Sequence, residues 1–105
     1  MKFAVIGGDR RSAALAELLH ADGHRVRTFA LERAALPPEI GRESCLQGCV
    51  YGADCVLLPC PAEMGGCLAA PLSEESIPMP RLKCNGKYQW QIEYERRRIK
   101  EYIWQ

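Results

Sequence analysis

The sequence predicts an α/β fold, a small three-layer Rossmann-like (flavodoxin-type) parallel sheet flanked by helices. Short apolar runs at residues 3–6 and 55–58 are typical of strands buried on both faces of a parallel sheet. A glycine pair follows the first run, and a helical repeat separates it from a second strand pattern. With 105 residues, 48% hydrophobic and 26% charged, the chain has the composition of one globular domain.

The first three elements form a βαβ unit. Residues 3–6 read Phe-Ala-Val-Ile and predict the first strand. Residues 11–22 predict a helix, because Ala and Leu recur there at helical spacing and Gly23 follows as a helix-ending glycine. The apolar positions of that repeat are Ala14, Leu15, Leu18 and Leu19. Residues 24–29 alternate polar and apolar side chains, which indicates a second strand.

The elements after the βαβ unit are shorter. Residues 31–36 predict a short helical turn that two prolines end, and residues 44–50 are expected to include a short strand. Residues 55–58 predict another buried strand, again stopped by proline. Residues 63–80 contain many glycines and prolines and predict loop, with one turn near residues 73–76.

The chain changes character near residue 79. Residues 1–78 are expected to form the Rossmann-like domain, and residues 79–105 a basic and aromatic tail with a terminal helix over residues 91–103. Glutamates dilute the positive charge of this tail. A helix that closes the core or makes a dimer contact is therefore favoured over binding of single-stranded nucleic acid.

Composition excludes several functional classes. The chain has 14 Lys and Arg against 13 Asp and Glu, so no overall field favours nucleic acid or an anionic membrane as a partner. It has no apolar run long enough to span a bilayer and no signal-peptide pattern, which predicts a cytoplasmic location with its six cysteines reduced. The cysteines lack zinc-site spacing, so we expect no metal.

A candidate site for an anion or a small dicarboxylate lies where two predicted parallel strands end, because their carboxyl ends share one edge of the sheet. The first segment, residues 7–12, joins a predicted strand to a helix N-terminus. It carries two arginines, and an arginine can bind carboxylate or phosphate through two parallel hydrogen bonds. The second is a Pro-x-Pro turn that would form the opposite wall. The candidate residues are Gly7, Gly8, Asp9, Arg10, Arg11, Ser12, Pro59 and Cys60.

A purely structural interpretation stays open for both segments. The glycine pair is equally consistent with a tight turn and Asp9 with a helix cap. For Pro59 and Cys60, a plain strand-ending turn is favoured over a ligand loop. The loop lacks the G-x-G-x-x-G fingerprint, which argues against NAD binding. No catalytic arrangement of serine, histidine or paired carboxylates can be assigned.

Three segments resemble the N-terminal domain of the A subunit of dipicolinate synthase. The most specific is Ile-Gly-Gly-Asp-x-Arg at residues 6–11, followed by Ala-Asp-Cys-Val-Leu-Leu-Pro-Cys-Pro at residues 53–61 and Ala-Pro-Leu-Ser at residues 70–73. The resemblance covers about residues 2–77, and the chain from about residue 79 onward departs from it.

The resemblance implies a flavodoxin-type domain that sits beside a second, NAD(P)-binding domain in a longer chain. That family oxidises a hydroxylated tetrahydrodipicolinate to dipicolinate during spore formation, and works with a flavoprotein-like B subunit. By similarity, Gly8, Asp9 and Arg11 line the cleft that faces the cofactor domain, with Arg11 pairing a substrate carboxylate. The resemblance therefore implies no cofactor in this chain and no independent catalysis.

Two other functions remain open. The first is a non-catalytic interaction module that dimerises or docks on a partner through Trp90 and Trp104 of the tail, since such rings dominate interface cores. The second is a nucleotide-binding protein, which would be stabilised by NAD or ATP.

Overall fold

The structure is a computed structural model that describes residues 1–84 and 90–94. Its elements, in chain order, are β1 (Lys2–Ile6), α1 (Arg10–Ala21), β2 (Arg25–Phe29), β3 (Gly41–Arg42), α2 (Leu46–Val50), β4 (Cys55–Leu57), β5 (Glu63–Met64), β6 (Cys67–Leu68), β7 (Pro80–Cys84) and β8 (Trp90–Tyr94).

The main sheet has four parallel strands in the order β3-β2-β1-β4, which confirms the predicted α/β fold class. This is the first part of the strand order of doubly wound dinucleotide-binding sheets. If the two-residue β3 is left out, the remaining order β2-β1-β4 corresponds to the first three strands of the flavodoxin order, 2-1-3-4-5. β2 lies on one side of β1 and β4 on the other, so the strand order reverses beside β1. Ligands of open α/β sheets bind at such a point.

Side-chain alternation along β1 builds the three layers. Val5 contributes to an apolar cluster on one face of the sheet, together with Ala16 of α1. Ala4 and Ile6 contribute to a second cluster on the opposite face, together with residues of α2. Both faces of β1 are therefore covered, as its continuous apolar sequence predicts.

Helix α1 follows its sequence signals closely. Asp9 is the N-cap residue, and its side chain accepts a hydrogen bond from the backbone N–H of Arg11. The helix ends one residue before Asp22, and Gly23 follows with φ +89°, as a helix-ending glycine does. The buried face does not follow the apolar repeat at every position, because Leu15 and Leu18 are exposed. Ala16 is buried instead.

The strand predicted within residues 44–50 is wrong, because this segment contains the short helix α2. The thiol of Cys45 accepts a hydrogen bond from the N–H of Gly48 at the start of the helix. At its end, the guanidinium of Arg27 donates to the carbonyls of Gly48 and Tyr51, both at 3.0 Å. These contacts come from outside the helix, and they satisfy backbone groups that five residues cannot pair internally.

Two other segments, residues 31–36 and 55–80, differ in detail from the elements predicted for them. The first segment forms one turn, in which the N–H of Ala34 donates to the carbonyl of Leu31 at 3.0 Å. β4 is half-buried, since it pairs only with β1 among the described strands. The expected loop after it contains a small antiparallel hairpin, β5 with β6, which turns the chain back towards β1.

The terminal helix predicted over residues 91–103 is wrong for residues 91–94, because they belong to β8, a strand that pairs antiparallel with β7. Trp90 and Ile92, two positions apart, both pack against the α2 side of the core, which is the strand period rather than the helical one. The remainder of the predicted helix, residues 95–103, lies outside the described residues, and so does Trp104.

Trp90 anchors the β7–β8 hairpin on the core. Its indole Nε1 donates a hydrogen bond to the carbonyl of Ala53 at 2.9 Å, and the ring is partly buried. The docking alternative placed Trp90 on the surface of a partner, but this ring packs inside the domain. Among the described residues, no helix is long and apolar enough to cross a membrane.

Replacing Trp90 tests this anchor. Trp90→Phe keeps an aromatic ring but leaves the Ala53 carbonyl without its donor, so we expect a loss of about 1 kcal/mol of unfolding free energy. Trp90→Ala also removes the packing and should cost about 3 kcal/mol or more. Urea unfolding followed by circular dichroism measures both. Equal stability of the wild type and both variants would contradict the docking of β8.

Candidate functional site

A cleft of about 290 Å³ opens between α1 and the loop that follows β4. We call it the β1–β4 cleft, because it lies beyond the ends of these two strands, where the strand order reverses. The structure brings six of the eight sequence-predicted residues together in its lining: Gly8, Asp9, Arg11, Ser12, Pro59 and Cys60. The two predicted segments thus form its two sides.

The other two predicted residues lie elsewhere. Gly7 is buried beneath Leu68, and a Cβ at position 7 would lie 3.0 Å from Leu68 Cδ2. Arg10 lines a second cleft, on another side of α1, together with Arg33 of the turn after β2. We call this the Arg10–Arg33 cleft.

Backbone hydrogen bonds hold the glycine turn inside the fold. The N–H of Gly7 donates to the carbonyl of Phe29 and the N–H of Gly8 to that of Ala69, both at 2.8 Å. Gly7 and Gly8 have φ of +64° and +97°, which disfavour any side chain. The turn interpretation therefore accounts for both glycines, and neither amide is available to an anion.

The turn does not fit the pyrophosphate of a dinucleotide. The backbone at Ala69 lies across the place where a phosphate would approach the glycines. The next helical amides are also used, since those of Arg11 and Ser12 donate to the side chain and the carbonyl of Asp9. We derive no dinucleotide chemistry from this loop.

Arg11 and Asp9 form an ion pair at the mouth of the cleft. The Nη2 of Arg11 lies 3.1 Å from Oδ2 of Asp9, and its Nε lies 3.3 Å from both carboxylate oxygens. The side-chain hydrogen bond from Arg11 lowers the pKa of Asp9 below its usual value of 3.8, and the same bond raises the pKa of Arg11. Asp9 is therefore ionised near neutral pH and is poorly suited to accept a proton in catalysis.

The remaining polar groups of the cleft are few. Cys60 supplies an exposed thiol and Ser12 a hydroxyl, and neither has a histidine or a second carboxylate among the described residues of the lining. Burial raises the pKa of the Cys49 thiol, which lies in α2, to about 12. Within residues 1–84 and 90–94, no group of three or more His, Cys, Asp or Glu is placed to hold a metal.

Sequence reasoning missed the apolar part of the cleft. Leu15 of α1, Leu58 after β4 and Met64 of β5 line it and are 40%, 41% and 65% exposed. The repeat in α1 gave no sign that Leu15 faces a cleft, and the glycine-rich stretch containing Met64 gave no sign of a hairpin. Exposed apolar residues gathered around a few polar groups are characteristic of a small-molecule site.

The fold and this cleft define the chain as a Rossmann-like α/β domain with a ligand-sized opening at the reversal point of its sheet. A family model for the N-terminal domain of the A subunit of dipicolinate synthase matches residues 2–85. The chain therefore belongs to this family, as its sequence motifs predict. The matched residues extend beyond residue 77 and include the whole of β7. No curated protein and no solved structure matches the chain.

Substituting a glycine of the turn tests its packing. In Gly8→Ala the new Cβ would lie 2.6 Å from Cβ of Ser12, and the positive φ adds backbone strain, so we expect a loss of about 3 kcal/mol. Gly23→Ala is the matched control, because its φ is also positive but nothing lies within 4 Å of the new Cβ. We expect it to cost about 1 kcal/mol. Chemical denaturation measures both, and an equal cost would contradict the close approach.

The ion pair predicts a dependence of stability on pH. Because the folded pKa of Asp9 lies below its unfolded value, the stabilisation is fully present above about pH 3.8 and is lost as the pH falls through the folded pKa. We expect the wild type to melt at a higher temperature than Asp9→Asn near neutral pH, and the difference to shrink below pH 3.8. Thermal melts across the acid range measure it. A constant difference would contradict the pairing.

Proposed function

We propose that this domain is the substrate-side part of a dipicolinate synthase of the A-subunit type, and that it binds a small planar dicarboxylate in the β1–β4 cleft. The observation that carries the proposal is the composition of the cleft. One exposed guanidinium, that of Arg11, stands at the edge of walls formed by Leu15, Leu58 and Met64. A flat ring bearing carboxylates matches this combination of an apolar surface and a single fixed cation.

Arg11 can engage a ligand without leaving Asp9. Its side chain is 81% exposed, and its Nε and Nη2 make the hydrogen bonds to Asp9. The Nη1 group makes no hydrogen bond within the described residues, and it remains available to a ligand carboxylate. The partner also fixes the guanidinium in place, which reduces the entropy lost when a ligand binds.

We propose that this domain does not catalyse the oxidation by itself. Oxidation of a hydroxylated tetrahydrodipicolinate requires a hydride acceptor and a proton acceptor. The glycine turn does not fit a dinucleotide, and Asp9 is held in its ionised form. We propose that NAD(P) is supplied by a separate cofactor domain, as in the family, and that the protein acts in the cytoplasm during spore formation, partnered by a flavoprotein-like B subunit.

A thermal-shift titration tests the substrate side of this proposal. Dipicolinate at about ten times its dissociation constant should raise the melting temperature by about 6 °C or more. Glutarate, a flexible dicarboxylate without a ring, should have a much smaller effect, and NAD none. Arg11→Ala should abolish the shift, whereas the matched control Arg25→Ala should keep it, because Arg25 is an exposed arginine at the other edge of the sheet.

Two outcomes would contradict the proposal. One is a dipicolinate shift that survives in Arg11→Ala, which would place the ligand elsewhere. The other is the absence of any shift, which would leave a fold without the substrate role and favour an interaction module. Turnover of NAD by the purified chain would separately overturn the claim that it lacks independent catalysis.

A further inference from the structure

We infer a second anion site, in the Arg10–Arg33 cleft, that accepts a phosphate monoester. This cleft, of about 320 Å³, lies between the start of α1 and the turn that follows β2. It shares no lining residue with the β1–β4 cleft. The inference goes beyond the proposed function and does not depend on it.

The two arginines of this cleft lack partners within the described part of the chain. Arg11 pairs with Asp9, and Arg27 and Arg42 donate to backbone carbonyls. Arg10 and Arg33 make no side-chain hydrogen bond or ion pair with the described residues, although both line one opening. Two guanidinium groups at one cleft offer several N–H donors to the oxygens of a single dianion.

Hydrogen bonds from Arg42 hold the backbone on both sides of Arg33. The guanidinium of Arg42 donates to the carbonyl of Glu32 at 3.1 Å and to that of Ala34 at 2.6 Å, so both neighbours of Arg33 are held. The N–H of Arg33 itself donates to the carbonyl of Leu72 at 2.9 Å. The backbone beneath this cation is therefore ordered before a ligand arrives, and the other cation begins a regular helix.

The apolar part of the lining favours an ester over free phosphate. Besides the charged residues, the cleft is lined by Ala13 and Ala14 of α1, Ala34 and Ala35 of the turn, and Leu72. They leave room beside the cations for an organic group and give it an apolar contact. Glu17 also lines the cleft, so the three charged side chains carry a net charge of +1, and this carboxylate opposes the bound anion.

Titrations observed by nuclear magnetic resonance of backbone amides test the site. Inorganic phosphate and phenyl phosphate are added separately at constant ionic strength, and the amides of Ala13, Ala34 and Ala35 are followed. We expect saturable shifts there, with a dissociation constant on the order of 1 mM or tighter. Phenyl phosphate should bind more tightly, and equal affinity would overturn the assignment to an ester.

Variants distinguish this site from the β1–β4 cleft. Arg10→Ala and Arg33→Ala should each weaken phenyl phosphate binding about ten-fold, and Glu17→Gln should strengthen it, because a repulsive charge is removed. Arg11→Ala and Arg25→Ala should leave it unchanged. Equal weakening by Arg25→Ala, or no saturable shift with either phosphate, would overturn the inference. If Arg11→Ala loses dipicolinate binding but keeps phenyl phosphate binding, the loss concerns only the β1–β4 cleft. The two proposals can therefore fail separately.

Discussion

The close approach between the Gly7–Gly8 turn and the backbone at Ala69 is the constraint on which the rest of the domain depends. The turn joins the end of β1 to Phe29 at the end of β2, and also to the chain that returns from β6. A side chain at Gly7 would press on Leu68 and the carbonyl of Ala69, and one at Gly8 would clash with Ser12 of α1. Gly8 and Ala69 both line the β1–β4 cleft, and their approach covers the surface that a pyrophosphate would need.

Local signals predicted the first half of the fold, because the start and end of each element there are marked in its own sequence. β1 is a continuous apolar run, and α1 has a side-chain cap at Asp9 and a helix-ending glycine at Gly23. The errors lie in α2 and β8, which depend on distant partners. The guanidinium of Arg27 supports α2 from the sheet, and Trp90 attaches β8 to the carbonyl of Ala53. Such contacts override local pattern and leave no periodic trace in a short segment.

The site was predictable in position but not in chemistry. Parallel strands end at one edge, so the sequence could bring Gly8 and Asp9 opposite Pro59 and Cys60. It offered Asp9 as a helix cap, but it could not reveal that the same carboxylate also pairs with the guanidinium of Arg11, since that follows from one side-chain conformation. The apolar wall was equally hidden, because it depends on where a hairpin of two-residue strands folds back.

The separation of Arg10 from Arg11 explains how one dipeptide serves two clefts. Successive residues at the start of a helix point about 100° apart, so adjacent side chains do not face the same surface. Arg11 lines the β1–β4 cleft and pairs with Asp9 through Nε and Nη2, which leaves its Nη1 without a hydrogen bond among the described residues. Arg10 lines the other cleft together with Arg33, and its side chain has no ion-pair partner among the described residues. The cap at Asp9 thus gives the two arginines of one dipeptide different surroundings, which is the basis for proposing a different anion for each cleft.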